Sequence, residues 1–131
     1  MKNIVACLLI FVAWPAPAQE GVYKDLSPTE FREKMKQTGN AVLLDLRTPE
    51  ELKDGMLENA VHMDYFQKEF EKKVKKLDKD KPYFLYCAGG GRSGETLALM
   101  KQLGFREVYN LEGGITAWKN ADLPIEKRGK N

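Results

Sequence analysis

From Ser27 onward, apolar positions fall into two alternating rhythms. Ser27-Pro28-Thr29-Glu30 has the form of a capping box with proline in the first turn, and predicts a helix through Phe31 and Met35 toward Gly39. Ala41-Val42-Leu43-Leu44 is a continuous apolar run, the pattern of a strand covered on both faces. The start signal recurs at Thr48-Pro49-Glu50-Glu51, predicting a short helix ended by Gly55. A brief strand follows over Ala60 to Met63. Phe66, Phe70, Val74 and Leu77 then mark one face of an amphipathic helix. Pro82 to Tyr86 is the next buried strand, and it runs straight into Cys87. Ser93 to Leu103 has helical spacing through Leu97 and Met100, with a stop at Gly104. Glu107 to Asn110 predicts a last strand, and Gly113-Gly114 precede a short helix bearing Ile115 and Trp118. Strands alternating with helices imply an α/β layered fold with a mostly parallel sheet. Ligand sites in such sheets lie beyond the carboxyl ends of the strands, where Cys87 stands.

The first eighteen residues follow neither rhythm. Lys2 precedes an apolar run from Ile4 to Val12, and Ala16-Pro17-Ala18 supplies a small-x-small cleavage signature before Gln19. A spanning helix needs about 20 apolar residues, and prolines at 15 and 17 interrupt this run. Residues 1–18 are therefore expected to be a cleaved signal peptide, and 19–131 a single exported domain. A bacterial periplasm is the favoured destination, with release beyond the cell as the alternative. A lipoprotein reading of Ile4-Val5-Ala6-Cys7 is poor, because the apolar run follows the cysteine instead of preceding it.

Composition narrows the classes further. Apolar content of 43% and charged content of 31% exclude a disordered chain. The formal net charge is only +2, and loss of the leader removes Lys2. Nothing global points to nucleic acid, or to a membrane once the signal is cleaved. The lysines between Lys72 and Lys81 alternate with Val74 and Leu77, as on the wet face of a helix. Of the two cysteines, Cys7 leaves with the leader, so the exported domain has no internal disulfide available to Cys87.

Cys87-Ala88-Gly89-Gly90-Gly91-Arg92-Ser93 joins a predicted strand to a predicted helix. Three successive glycines let the backbone curl with positive φ and turn N–H groups inward. Inward N–H groups at a helix start form an anion cradle. Its occupant is expected to be the Cys87 sulfur, with the helix end and Arg92 lowering the thiol pKa. Arg92 has two open roles, orienting the loop or meeting an anionic donor. Ser93 suits the helix N-cap, and its hydroxyl also has the option of facing the site. A plain tight turn would explain the glycines, but not a thiol before them and an arginine after.

The segment Cys87-x-x-Gly90-x-Arg92-Ser93, entered from Tyr83-Phe84-Leu85-Tyr86, resembles the active-site loop of rhodanese domains. Leu43 to Glu51, with Asp45-x-Arg47 before a Pro-Glu-Glu helix start, resembles an earlier segment of that family. Gly104 through Trp118 resembles its closing segment. The likeness spans roughly Tyr23 to Pro124. It implies a parallel sheet of about five strands flanked by helices, and a sulfurtransferase. In that chemistry the Cys87 thiolate takes the outer sulfur of a donor such as thiosulfate. The persulfide, held by loop amides, then yields it to cyanide or a thiol, including a protein thiol. No metal or organic cofactor is implied. Asp45 and Arg47 would support the site through a polar network, or form a structural ion pair at the strand end. His62, the only histidine, is read as structural or surface. One departure is visible. Where the family pattern has Gly-His-Ile-Pro-Gly-Ala, this chain has Gly55-Met56-Leu57-Glu58-Asn59-Ala60, which predicts altered loop detail on the same fold.

Three other readings compete. Thiol phosphatases and arsenate reductases share the cysteine-loop-arginine idea but place five residues between the two, where four stand here, Ala88 to Gly91. A non-catalytic rhodanese-like binding module would usually lack the cysteine. A redox role for Cys87 would need a partner thiol to resolve it.

Overall fold

The computed structural model describes residues 2–15 and 20–127; the expected cleavage site at Ala16-Pro17-Ala18 lies outside the described residues. Residues 2–15 carry no secondary structure, and Ile4, Leu9, Phe11 and Trp14 project into solvent. Among the described residues no helix is long and apolar enough to cross a membrane.

The rest is built on one parallel five-stranded sheet in the order β1-β5-β4-β2-β3. The strands are β1 (Val22–Leu26), β2 (Val42–Asp45), β3 (Val61–His62), β4 (Pro82–Tyr86) and β5 (Glu107–Leu111). The helices are α1 (Pro28–Gln37), α2 (Phe70–Lys75), α3 (Gly91–Gln102) and α4 (Gly114–Asn120), with a 3-10 turn over Glu51–Asp54. Parallel strands need crossovers, and helices on both faces supply them.

Side-chain alternation divides the core. On β4, Phe84 and Tyr86 point to one face, with Leu43, Tyr109 and Leu111, and meet Phe31 of α1 and Ile115 and Trp118 of α4. Tyr83 and Leu85 point to the other, with Leu44 and Val108, against Phe70 and Val74 of α2 and Met100 of α3. The continuous apolar run of β4 predicts a doubly covered strand, and every one of its residues is buried.

Local start signals act as the sequence suggests. Ser27 Oγ accepts the Glu30 N–H at 3.3 Å, opening α1. At the second signal the box is reciprocal: Thr48 Oγ1 accepts the Glu51 N–H at 3.4 Å, and Glu51 Oε2 accepts the Thr48 N–H at 2.7 Å.

Two elements differ from the sequence reading. The expected helix from Phe66 begins only at Phe70, because Asp64 takes the Phe66 N–H at 2.9 Å and folds the chain into a turn. Phe66 is consequently exposed instead of joining the Phe70 and Val74 face. Strand β1 was not anticipated, since Val22-Tyr23-Lys24-Asp25-Leu26 sits at a sheet edge, where polar side chains blur the alternation. The lysines at 72, 73 and 75 do lie on the solvated side of α2, with Lys75 3.3 Å from Glu71.

Candidate active site

Cys87 follows β4, near the middle of the sheet, at the carboxyl ends of the strands. The chain leaving it makes one sharp turn at Gly90, whose φ of +98° suits a residue without Cβ. A Cβ there would also lie 3.2 Å from the Gly113 nitrogen. Of the three consecutive glycines only Gly90 has positive φ; Gly89 and Gly91 do not. The loop is short enough that α3 starts at Gly91, with Gly90 as its N-cap. This corrects the expected N-cap at Ser93, which lies within the first turn, fully buried.

That displacement gives Ser93 its place. Its Oγ stands 3.3 Å from Cys87 Sγ, and the Gly90 N–H donates to the same sulfur at 3.1 Å. Burial pushes the Cys87 thiol up. Outweighing it, the Ser93 hydroxyl and the backbone N–H groups of Ser93, Gly90 and Gly89 pull it below its ordinary value. Cys87 is 1% exposed, so its sulfur lies in a close-fitting cradle of partial positive charge.

A second glycine pair supports this loop from behind. Gly114 has φ of +61°, and a Cβ on it would come within 2.3 Å of the Ala88 carbonyl oxygen. Its absence lets the start of α4 abut the loop, where Ile115 and Thr116 donate their N–H groups to the Cys87 and Ala88 carbonyls at 3.0 and 3.2 Å. Asn110 of β5 donates Nδ2 to Asp25 of β1 at 2.9 Å and, at 3.4 Å, to the Gly90 carbonyl. The sequence reading placed Gly113 and Gly114 in a family-like segment but gave them no role, and it missed Asn110 and Asp25.

Arg92 does not face the sulfur as a free cation. Nη1 and Nη2 donate to the two carboxylate oxygens of Glu51 at 2.9 and 2.8 Å, and the Phe66 ring lies 5.3 Å from the guanidinium carbon. The Arg92 bond and the Thr48 N–H hold the Glu51 carboxyl down at about 2. Of the two roles open to Arg92, tying the loop to a neighbouring segment is the one this pairing performs. Glu51 was not foreseen, as it lies 41 residues away along the chain.

Asp45 and Arg47 meet beside this site as a buried, two-pronged ion pair. Arg47 Nε and Nη2 donate to Asp45 at 3.0 and 2.8 Å, and its remaining N–H groups reach the Gly55 carbonyl at 2.7 Å and the Glu51 carbonyl at 3.1 Å. Burial works against the Arg47 charge, but the Asp45 carboxylate overcomes it and keeps the guanidinium protonated. Tyr86, next to Cys87, donates its hydroxyl to Asp45 and accepts the Leu57 N–H at 3.1 Å. Burial and the adjacent Asp45 charge raise the Tyr86 pKa. His62 Nε2 donates to the Arg47 carbonyl at 2.6 Å, a structural contact. The network therefore pins the 48–57 segment, and with it Glu51, against the strand that delivers Cys87.

The altered 55–60 loop holds its shape by other means. Asn59 takes φ of +64° where the family pattern has glycine, and asparagine tolerates that region. Met56 pairs with Glu126 in a two-way backbone bridge, with N···O distances of 2.9 and 2.8 Å. No group of metal-ligating side chains occurs among the described residues.

Comparison with known proteins agrees with this geometry. Residues 27–121 match the Rhodanese-like domain family. The chain is 35% identical over 101 residues to the putative sulfurtransferase YtwF of Bacillus subtilis, covering 77% of this chain and 95% of that protein. It is 31% identical over 101 residues to a sulfurtransferase of Allochromatium vinosum, covering 77% of this chain and 92% of that protein. Among solved structures, a rhodanese-related protein of Thermoplasma volcanium superposes with a TM-score of 0.69 at 31% identity, covering 81% of this chain and all of that one. With the five-stranded parallel sheet and the cysteine loop at its carboxyl edge, these matches show that the chain belongs to the rhodanese-like family.

Proposed function

We propose that this protein is an exported sulfurtransferase that carries sulfane sulfur as a persulfide on Cys87. The observation that carries the reading is the cradle itself. A lowered-pKa thiol receives the Gly90 N–H and stands beside the Ser93 hydroxyl. Such a site both generates the nucleophile and stabilises an anionic sulfur after transfer.

The reaction runs in two halves. The Cys87 thiolate attacks the outer sulfur of a donor such as thiosulfate; a new S–S bond forms, the old one breaks, and its electron pair leaves on sulfite. Loop dipoles hold the resulting persulfide anion. A nucleophile, cyanide or a thiol, then attacks the outer sulfur and returns Cys87 to the thiolate. Ser93 donates to the charged sulfur, Arg92 fixes the loop through Glu51, and Asp45 and Arg47 hold the segment bearing Glu51. Export is supported by the apolar run at 4–12, which has no place in the folded core.

Thiocyanate formation from thiosulfate and cyanide tests the reading directly, with Cys87→Ser as control. Turnover in the parent chain, reduced at least about a thousandfold in the variant, is the expected result. Equal activity in both, or none in either with any sulfane donor, overturns it.

A further inference from the structure

Arg92 is the only charged residue in the Cys87 loop, and it is engaged on several sides. Glu51 takes both of its terminal nitrogens, at 2.9 and 2.8 Å. Phe66 packs against the guanidinium. Glu51 is itself fixed, by the Thr48 N–H at its carboxylate and by Arg47 at its carbonyl. To reach a donor, Arg92 would have to break a two-pronged charged bond and leave a partly buried carboxylate, 32% exposed, without its cation. After Glu51, the Cys87 sulfur and then Asp64 lie close enough to favour the charged Arg92. The Arg92 guanidinium thus faces two carboxylates, Glu51 in direct contact and Asp64 beyond it.

We propose that Glu51 is a positioning residue that sets the charge of the donor: by occupying Arg92 it makes the site select singly charged sulfane donors over dianions. The inference rests on the sulfurtransferase reading and names the substrate class of that site. With Arg92 held by Glu51, the groups in contact with the sulfur are the Gly90 N–H and the Ser93 hydroxyl, and Arg92 acts on it only from a distance. Charge on the far end of the donor meets the Glu51 and Asp64 carboxylates instead.

Two donors isolate this effect. Thiosulfate and methanethiosulfonate present the same outer sulfur on a sulfonyl group, and differ by an oxyanion in place of a methyl. In each case the Cys87 thiolate bonds to the outer sulfur and the S–S bond of the donor breaks. The electron pair leaves on sulfite or methanesulfinate, with no proton or external oxidant required.

The experiment measures the rate at which each donor loads Cys87 in the full chain, by quenched mass spectrometry with the added sulfur mapped to that residue. Electrostatic work scales with donor charge. Glu51→Gln should therefore speed thiosulfate about tenfold and methanethiosulfonate about threefold at low ionic strength. In the parent chain, the thiosulfate-to-methanethiosulfonate ratio should rise with salt as these carboxylates are screened. A loss of packing would change both donors by the same factor. An equal change in Glu51→Gln, or a thiosulfate rate that falls, overturns the proposal. If the variant does not fold, the salt series decides, and a flat or falling ratio counts against the proposal. Loading of Cys87 by neither donor in the parent chain would instead remove the sulfurtransferase reading, and this inference with it.

Discussion

Two polar assemblies sit side by side at the carboxyl edge of the sheet, and they treat charge in opposite ways. After β4, the Cys87 sulfur is surrounded by partial charges: the Gly90 N–H, the Ser93 hydroxyl and the opening turn of α3. After β2, Asp45 and Arg47 bury two full charges against each other, at 0% and 2% exposure. A full ion pair in a dry setting is stable only while both partners stay, so it suits a fixed strut. Dipoles stabilise an anion without being consumed by it, so they suit a sulfur whose charge and length change during turnover. The one loop residue with a full charge, Arg92, is passed to Glu51 and joins the strut side of this division.

Breaking the strut should produce the largest effect on folding. Arg47→Ala leaves the Asp45 carboxylate buried without its cation and is expected to cost about 3–5 kcal/mol, read from urea unfolding. Replacing both partners with apolar residues should recover much of that loss. If the single variant costs less than about 1 kcal/mol, the pair is not the brace described here.

The support behind the cradle comes next. Gly114→Ala places a Cβ within 2.3 Å of the Ala88 carbonyl and at a φ of +61°. Strain there should cost about 1–3 kcal/mol and lower sulfur transfer, because the loop must shift to relieve the clash. Unchanged stability and unchanged turnover would show that α4 does not set the loop.

The mildest change sharpens the dipole side. Ser93→Ala removes the hydroxyl beside Cys87 Sγ while leaving the N–H donors. Because the hydroxyl lowers the thiol pKa, its loss should raise it and move the pH profile of Cys87 alkylation upward. Activity near neutral pH should fall by up to about tenfold and recover as pH rises. A profile that stays in place would assign the lowered pKa to the backbone alone.

How much of this was legible from the sequence follows from the range of each interaction. The doubly covered strand over Pro82 to Tyr86, the cysteine at its end and the turn glycine are neighbours in the chain, so periodicity and loop composition reveal them. The capping box at Thr48 is equally local. Asp45 and Arg47 stand at the strand end the sequence predicts and form a buried ion pair there. Glu51, however, reaches Arg92 only because β2 and β4 are adjacent in the sheet, and Asn110 reaches Asp25 only because β5 lies beside β1. No spacing rule encodes such partners. Phe66 misled because helical periodicity carries no record of the Asp64 side chain that ends the turn before it. Strand β1 escaped because an edge strand need not be apolar.

The central claim is that Cys87 holds the transferred sulfur, and one measurement addresses it most directly. The intact chain is exposed to a sulfane donor, its mass is recorded, and peptide mapping locates any added sulfur. The account predicts one additional sulfur atom on Cys87, released as thiocyanate by cyanide. A thiol that alkylates normally yet gains no sulfur, or an adduct confined to Cys7, would contradict it.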